Sequence, residues 1–237
     1  MSEDIGTRTR LLLGEDGLKR IRDTSVVLCG CGAVGGYALE GIVRAGFGRI
    51  RVVDADVFSE SNLNRQILAT KDTVGRNKAE VACERARSIN PDVDIEAMVS
   101  MVDSETAPAI LDGGFDILID AIDTVQHKVS LLTCAAETGI RTFSSMGAAL
   151  HLDTQMVRVA PLMKTRVCPL AAAVRKRMRN LDTSGITCVF SEEPPVAVPK
   201  DRDEHGKSVL GSLPTVPAVF GMTLANLAIR HVMDLDD

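Results

Sequence analysis

The feature that most constrains this chain is a short apolar run that ends in glycines and is answered by an acid. Val26-Val27-Leu28-Cys29 leads directly into Gly30-Cys31-Gly32-Ala33-Val34-Gly35, and the stretch that follows, to Ala45, has helical spacing and is closed by Gly46. A continuous apolar run bounded by a turn signal suits a strand buried on both faces. Ile50-Arg51-Val52-Val53-Asp54 supplies a second strand, and the three pieces make a right-handed βαβ unit. Asp54 stands nineteen residues after Gly35, at the end of that strand, where a carboxylate can accept hydrogen bonds from ribose hydroxyls. Glycines at 30, 32 and 35 let a backbone approach phosphates closely at a helix N-terminus. The glycine turn alone is equally compatible with tight packing that binds nothing. With strand, helix and acid in this order, a nucleotide site is expected at Gly30, Gly32, Gly35 and Asp54.

The rest of the chain extends this grammar. Helices are expected over 8–21, 78–89 and 129–137, and strands over 93–98, 115–120 and 141–144. After about residue 150 the pattern changes. Residues 155–159 alternate polar and apolar, as an antiparallel strand does, 171–180 form a basic helix, and 192–207 are rich in proline and charge. The expectation is an α/β fold: a Rossmann-like, mostly parallel sheet with helices on both faces over 1–150, followed by a smaller antiparallel and helical extension over 151–237. At 237 residues the two belong to one structural unit, the first binding a nucleotide and the second shaping a substrate site.

Composition excludes several alternatives. Aromatics make up 3% of the chain, with no Trp and Tyr37 as the only Tyr, so stacking of bases on an aromatic platform is not the principal means of binding. The six cysteines contain no Cys-x-x-Cys pair, which argues against a zinc ribbon or a thioredoxin-type redox site and fits reduced thiols in the cytoplasm. The start, Met1-Ser2-Glu3-Asp4, is acidic and lacks the apolar run of a signal peptide. The longest apolar stretch, 216–233, is interrupted by Pro217, Asn226, Arg230 and His231, and is expected to be a buried helix and not a membrane span.

What separates a hydride-transfer enzyme from one that handles a triphosphate is cationic charge near the departing pyrophosphate. Ser61-Asn62-Leu63-Asn64-Arg65-Gln66 places Arg65 in a polar loop, and Lys78 follows Gly75-Arg76-Asn77 at a helix start, where a lysine opposes the helix dipole. Both are also what a solvated surface would carry. Leu118-Ile119-Asp120-Ala121-Ile122-Asp123-Thr124 sets two carboxylates at the carboxyl end of a strand, where open α/β sheets bind ligands. Either could ligate Mg²⁺ through oxygen, and Asp123 could equally cap the next helix.

These motifs, in this order, resemble the ThiF/MoeB/HesA superfamily of adenylating enzymes, which are related to ubiquitin-activating enzymes. The residues that carry the likeness are the glycine turn, Val53-Asp54-Ala55-Asp56, Ser61 to Gln66, Gly75-Arg76-Asn77-Lys78, Asn90-Pro91 and Ala121 to Val125. The resemblance covers about 8–150. It implies ATP and Mg²⁺, Asp54 on the ribose with Asp56 beside it, Asn62, Arg65 and Lys78 on the phosphates, and Asp123 at Mg²⁺. It also implies a homodimer in which an arginine before the first strand, Arg10 or Arg8, completes the partner's site.

The second half narrows the branch. Members that activate sulfur-carrier proteins usually carry two zinc-binding Cys-x-x-Cys pairs, absent here, and use a loop cysteine. Cys168 and Cys188 are the candidates, and Cys188 lies in the apolar run 186–190 expected to be buried. Cys168-Pro169-Leu170-Ala171, Cys188-Val189-Phe190-Ser191-Glu192 and Val216 to Gly221 instead resemble tRNA threonylcarbamoyladenosine dehydratases, with a shorter stretch over 194–211. That resemblance implies a tRNA bearing threonylcarbamoyladenosine as substrate and leaves room for a sulfur-transfer protein as a further partner. The alternative is an adenylyltransferase acting on the C-terminal glycine of a ubiquitin-like sulfur carrier. Between Thr154 and Leu181 there are seven basic residues and no acidic one, a local patch suited to phosphates on an otherwise acidic chain of net charge −5.

Overall fold

The computed structural model describes residues 4–198, 202 and 209–235. Helix α1 (Thr7–Asp23) precedes strand β1 (Ser25–Cys29), and α2 (Gly35–Ala45) leads to β2 (Arg49–Val53). Then come α3 (Lys78–Ile89), β3 (Asp94–Met98), α4 (Ala107–Leu111), β4 (Ile117–Asp120), α5 (Val125–Thr138) and β5 (Arg141–Ser145). The chain ends with β6 (Val157–Pro161), α6 (Pro169–Met178), β7 (Ile186–Ser191) and α7 (Thr215–Val232).

The seven strands form one sheet in the order β3-β2-β1-β4-β5-β7-β6. All neighbours are parallel except β6, which runs antiparallel to β7, as the alternation over 155–159 predicts. Alternate residues of β1 enter different cores. Val26 and Leu28 pack with α2, α3 and α7 residues such as Leu39, Ala82 and Phe220, whereas Val27 and Cys29 pack with Ile110 and Leu131 of α4 and α5. Burial on both faces is why this strand is an unbroken apolar run.

Helix boundaries have local causes. The Asn77 side chain accepts from the Ala79 and Glu80 amides and starts α3, and Gly46, at φ 104°, ends α2 in the left-handed region. α1 is interrupted by a non-helical Gly14, and of its apolar positions Leu18 and Ile21 are buried while Leu11 and Leu12 face solvent.

The run 186–190, expected only to be buried, is a parallel strand beside β5. The second half therefore completes the sheet and is not merely appended to it. α7 returns across the first half to pack on α2 so closely that a Cβ on Gly221 would lie 2.4 Å from the Val34 carbonyl oxygen. Half of the expected loop over 192–207 lies outside the described residues; 192–198, which are described, form no helix or strand. Among those described, no helix is long and apolar enough to cross a membrane.

Candidate active site

The chain leaves β1 towards β2 on one side and later reaches β4 on the other, so the carboxyl ends of β1 and β4 flank a topological switch point. Open α/β sheets bind ligands in such a crevice. Three glycines of the turn that opens it serve different ends. Gly30 has φ 92°, and a Cβ there would come 2.8 Å from the Ala121 carbonyl oxygen. A Cβ on Gly35 would fall 1.7 Å from the Gly30 carbonyl oxygen, so no other residue fits. Gly32 is different: its Cβ would meet only Gln66 Nε2, at 3.8 Å. The fold does not require glycine at 32, which leaves that space for a ligand. The N-terminus of α2 has no side-chain cap, consistent with amides left for an anion.

Asp54 closes the turn from the side of β2. Its Oδ2 accepts from the Cys31 amide at 2.7 Å and its Oδ1 from the Asp56 amide at 2.8 Å. Burial raises its pKa, and nearby Lys78 opposes that rise. Lys78 is itself buried at the first position of α3, its Nζ 3.0 Å from Asp56 Oδ2, while its amide donates to the Asp56 carbonyl. The lysine that opposes its own helix dipole is thus held at the crevice by an acid, not left on the surface.

The 59–66 loop is built around Asn62. Its Oδ1 accepts from the Ser59 amide at 3.2 Å, and its carbonyl accepts from the amides of Arg65 and Gln66. The Asn62 carboxamide is therefore first a structural pin, and it is buried. Arg65 is half-buried and donates from Nη1 to the Ser61 carbonyl at 2.8 Å and to Asn64 Oδ1 at 2.9 Å, with no carboxylate on it among the described residues. Gln66 was assigned no role from the sequence. It is buried, and its Oε1 has no hydrogen-bond partner among the described residues. Its Nε2 is the atom nearest the open side of Gly32, so the Gln66 carboxamide borders the space at that glycine. Its place inside the Asn-Arg-Gln run was the only signal in the sequence.

Of the two carboxylates at the carboxyl end of β4, only Asp123 is open to solvent. Asp120 is sealed from solvent and ion-paired to Lys128, so it is not available to a metal. Asp123 is exposed and accepts from Thr124 Oγ1 at 3.1 Å. Thr124 occupies the N-cap position of α5, and its own side chain makes no cap hydrogen bond. No cluster of three or more potential ligating side chains exists among the described residues. A Mg²⁺ carried in on phosphates needs only one or two protein carboxylates, and Asp123 fits that mode.

Arg10 lies on α1 and is held by two carboxylates. Its Nη2 is 3.2 Å from Asp4 Oδ2, and its Nε is 2.7 Å from Glu15 Oε1 in an ion pair without hydrogen-bond alignment. Contacts join Gly30 to Ala121, Gly32 to Gln66, Asp54 to Cys31 and Asp56, and Asp56 to Lys78; Asn62 and Arg65 share the loop of Gln66, Asp123 shares the link of Ala121, and Arg10 pairs with Asp4 and Glu15. Cys188 is fully buried and burial pushes its thiol far above the usual range; Cys168 is buried too, its sulfur accepting from the Gly147 amide at 3.4 Å. Neither is placed as an exposed thiolate.

A doubly wound sheet with a glycine turn, an acid at the end of β2 and a buried lysine beside it at the switch point has the form of a nucleotide-binding α/β protein. The chain belongs to the ThiF family, which it matches over residues 7–237. A tRNA threonylcarbamoyladenosine dehydratase of Bacillus subtilis (strain 168) is 34% identical, with 97% of this chain and 93% of that protein aligned. The crystal structure of the E. coli tRNA N6-threonylcarbamoyladenosine dehydratase in complex with ATP superposes with a TM-score of 0.88 at 32% identity, covering 96% of this chain and 93% of that one. A sulfur carrier protein adenylyltransferase of Thermus thermophilus is 30% identical over 94% of this chain and 74% of its own length.

Proposed function

We infer that the protein is an ATP-dependent tRNA threonylcarbamoyladenosine dehydratase. The observation that carries this reading is the glycine turn at the β1–β4 switch point, closed by Asp54 with Lys78 held beside it through Asp56; the phosphates of a nucleotide seated there are assigned to Arg65, Lys78 and, through Mg²⁺, Asp123. The near full-length similarity to dehydratases supports the choice of substrate.

The threonyl carboxylate of the modified adenosine attacks the α-phosphorus of ATP; a P–O bond forms and the bond to pyrophosphate breaks. Arg65 and Lys78 neutralise charge that develops on the departing pyrophosphate, an electrostatic role typically worth two to three orders of magnitude in rate for one donor (~10²–10³). Asp54 orients the ribose, and Asp56 holds Lys78 in position. Mg²⁺, when bound, offsets further phosphate charge, with Asp123 as its protein ligand. The carbamoyl group of the same side chain then attacks the activated carbonyl and AMP leaves, so the substrate loses one water. The ring-closing nucleophile is already attached, at high effective concentration, so no enzyme nucleophile is needed. The buried state of Cys188 agrees with this.

The tRNA reading draws support from the surface of the second half. Glu192 pairs with Arg158 and Arg166, but Lys164, Lys176, Arg177 and Arg179 are exposed and carry no carboxylate partner among the described residues. Exposed Leu11 and Leu12, next to Arg10, support a homodimer in which α1 crosses to a second copy. Six unpaired cysteines suit the cytoplasm. The sulfur-carrier reading draws on the Thermus relative, and the absence of Cys-x-x-Cys pairs counts against it.

The test is incubation with ATP, Mg²⁺ and tRNA bearing threonylcarbamoyladenosine. AMP formation with a nucleoside lighter by one water is expected, and Arg65→Ala should reduce AMP formation at least ~100-fold. Turnover only with a ubiquitin-like carrier ending in Gly-Gly would establish the other reading.

A further inference from the structure

Beneath Asp123 lies a polar cluster the reaction has not used. Asp120, Lys128 and Ser144 are each sealed from solvent, with 0% exposure. Asp120 is the last residue of β4, Ser144 pairs with it across the β4–β5 ladder, and Lys128 comes from the first turns of α5. Lys128 Nζ donates to Asp120 Oδ2 at 2.5 Å and to Ser144 Oγ at 3.2 Å. Ser144 Oγ in turn donates to the same carboxylate oxygen at 2.6 Å, closing a triangle. The other oxygen, Oδ1, accepts from the Ile122 amide at 3.0 Å.

A dehydrated ion pair is a poor source of stability, because stripping water from two charges offsets much of their attraction and apolar side chains of similar volume hold a fold as well. What an apolar pair could not do is grip the Ile122 amide. That amide lies in the link between β4 and α5, which carries Asp123. The start of the same link is tied to β1 by Ala121 N–H to the Cys29 carbonyl at 2.8 Å, and its Ala121 carbonyl abuts Gly30. The cluster therefore fixes one wall of the crevice from below, where no sheet ladder continues.

We propose that Asp120, Lys128 and Ser144 are positioning residues, an ionic clamp that sets the 121–124 link and so holds Asp123 at the phosphates, acting on turnover and not on nucleotide affinity. The turnover half rests on the adenylating reading above; the structural half does not.

The test compares wild type with Lys128→Met, Ser144→Ala and Ser144→Thr, first by amide hydrogen exchange over residues 119–128 in the nucleotide-free protein. Exchange at Ile122 and Asp123 should be about tenfold faster in Lys128→Met. AMP formation should then show kcat about 100-fold lower, KM for ATP within about threefold of wild type, and a higher Mg²⁺ concentration for half-maximal rate. Ser144→Thr, which keeps the hydroxyl, should behave as wild type, and Ser144→Ala should fall between. If Lys128→Met does not fold, the Ser144 pair makes the same comparison. Unchanged exchange, or a lower Tm with kcat and Mg²⁺ requirement unchanged, would overturn the proposal in favour of a purely structural cluster. If wild type forms no AMP with any substrate, the adenylating reading falls and exchange alone decides whether the clamp sets the link.

Discussion

Single residues carry separable roles in this crevice, and the glycine turn shows it most clearly. Gly35 and Gly32 look alike as letters, but a Cβ at the first would collide with the Gly30 carbonyl and at the second would meet nothing closer than 3.8 Å. Gly35→Ala should therefore fail to give soluble, cooperatively folding protein. Gly32→Ala should keep its Tm within a few degrees while weakening ATP binding about tenfold or more, measured by calorimetry. If both variants lost stability alike, the space at Gly32 would not be a ligand's. The thiols give a second contrast. Cys188 is buried with its thiol held protonated, so Cys188→Ser should retain most AMP formation in a rate assay. A folded but inactive Cys188→Ser would contradict the cysteine-free ring closure. These roles were legible only in part: the sequence marks which positions are glycine or acidic, and only the packed backbone tells which of them a side chain would obstruct.

Elements with local causes were readable in advance, and those set by distant partners were not. The Lys78–Ile89 helix announces itself through its amphipathic pattern, with the Asn77 cap supplied by the structure, and β1 through its unbroken apolar run. β7 did not, because six residues ending Val189-Phe190-Ser191 suit a buried strand or a buried helix segment equally well. Its ladder partner, β5, lies some forty residues earlier. The same limit hid the Asp120–Lys128 pair: Lys128 looks like a solvated helix position until β4 and β5 are laid beneath it. β7 also delivers Glu193 to the loop after β5, where its Oε2 accepts from the Leu152 and Asp153 amides and lies 3.7 Å from His151 Nδ1. Burial lowers the His151 pKa below its usual 6.5, with Glu193 opposing. The folded state then binds fewer protons than the unfolded one, so this contribution to stability is complete above the unfolded pKa and is lost as pH falls through the folded value. Tm should fall as pH drops from about 7.5 to about 5.5, and His151→Gln should flatten that slope. An unaltered slope would show that His151 is not the group responsible.

For the whole molecule, the sheet gathers near the carboxyl ends of its central strands elements that the chain spreads over some ninety residues, from Gly30 to Ala121, and it sets the exposed cations of the α6 region on the surface of the same sheet's second half. An acidic protein that binds a polyanion must do so through such a local patch. Replacing Lys176, Arg177 and Arg179 together by Ala should weaken tRNA binding and lower the slope of log K against log salt by about two to three, at ~0.7–0.9 per phosphate contact. An unchanged slope would place the tRNA elsewhere. The central claim is that the substrate's own carboxylate becomes the adenylate. Preparing the tRNA with ¹⁸O in the threonyl carboxylate and analysing the released AMP by mass spectrometry addresses it directly. Attack on the α-phosphorus followed by ring closure leaves one carboxylate oxygen on AMP, so the phosphate of AMP should carry one ¹⁸O. Unlabelled AMP formed alongside the dehydrated nucleoside would contradict the account.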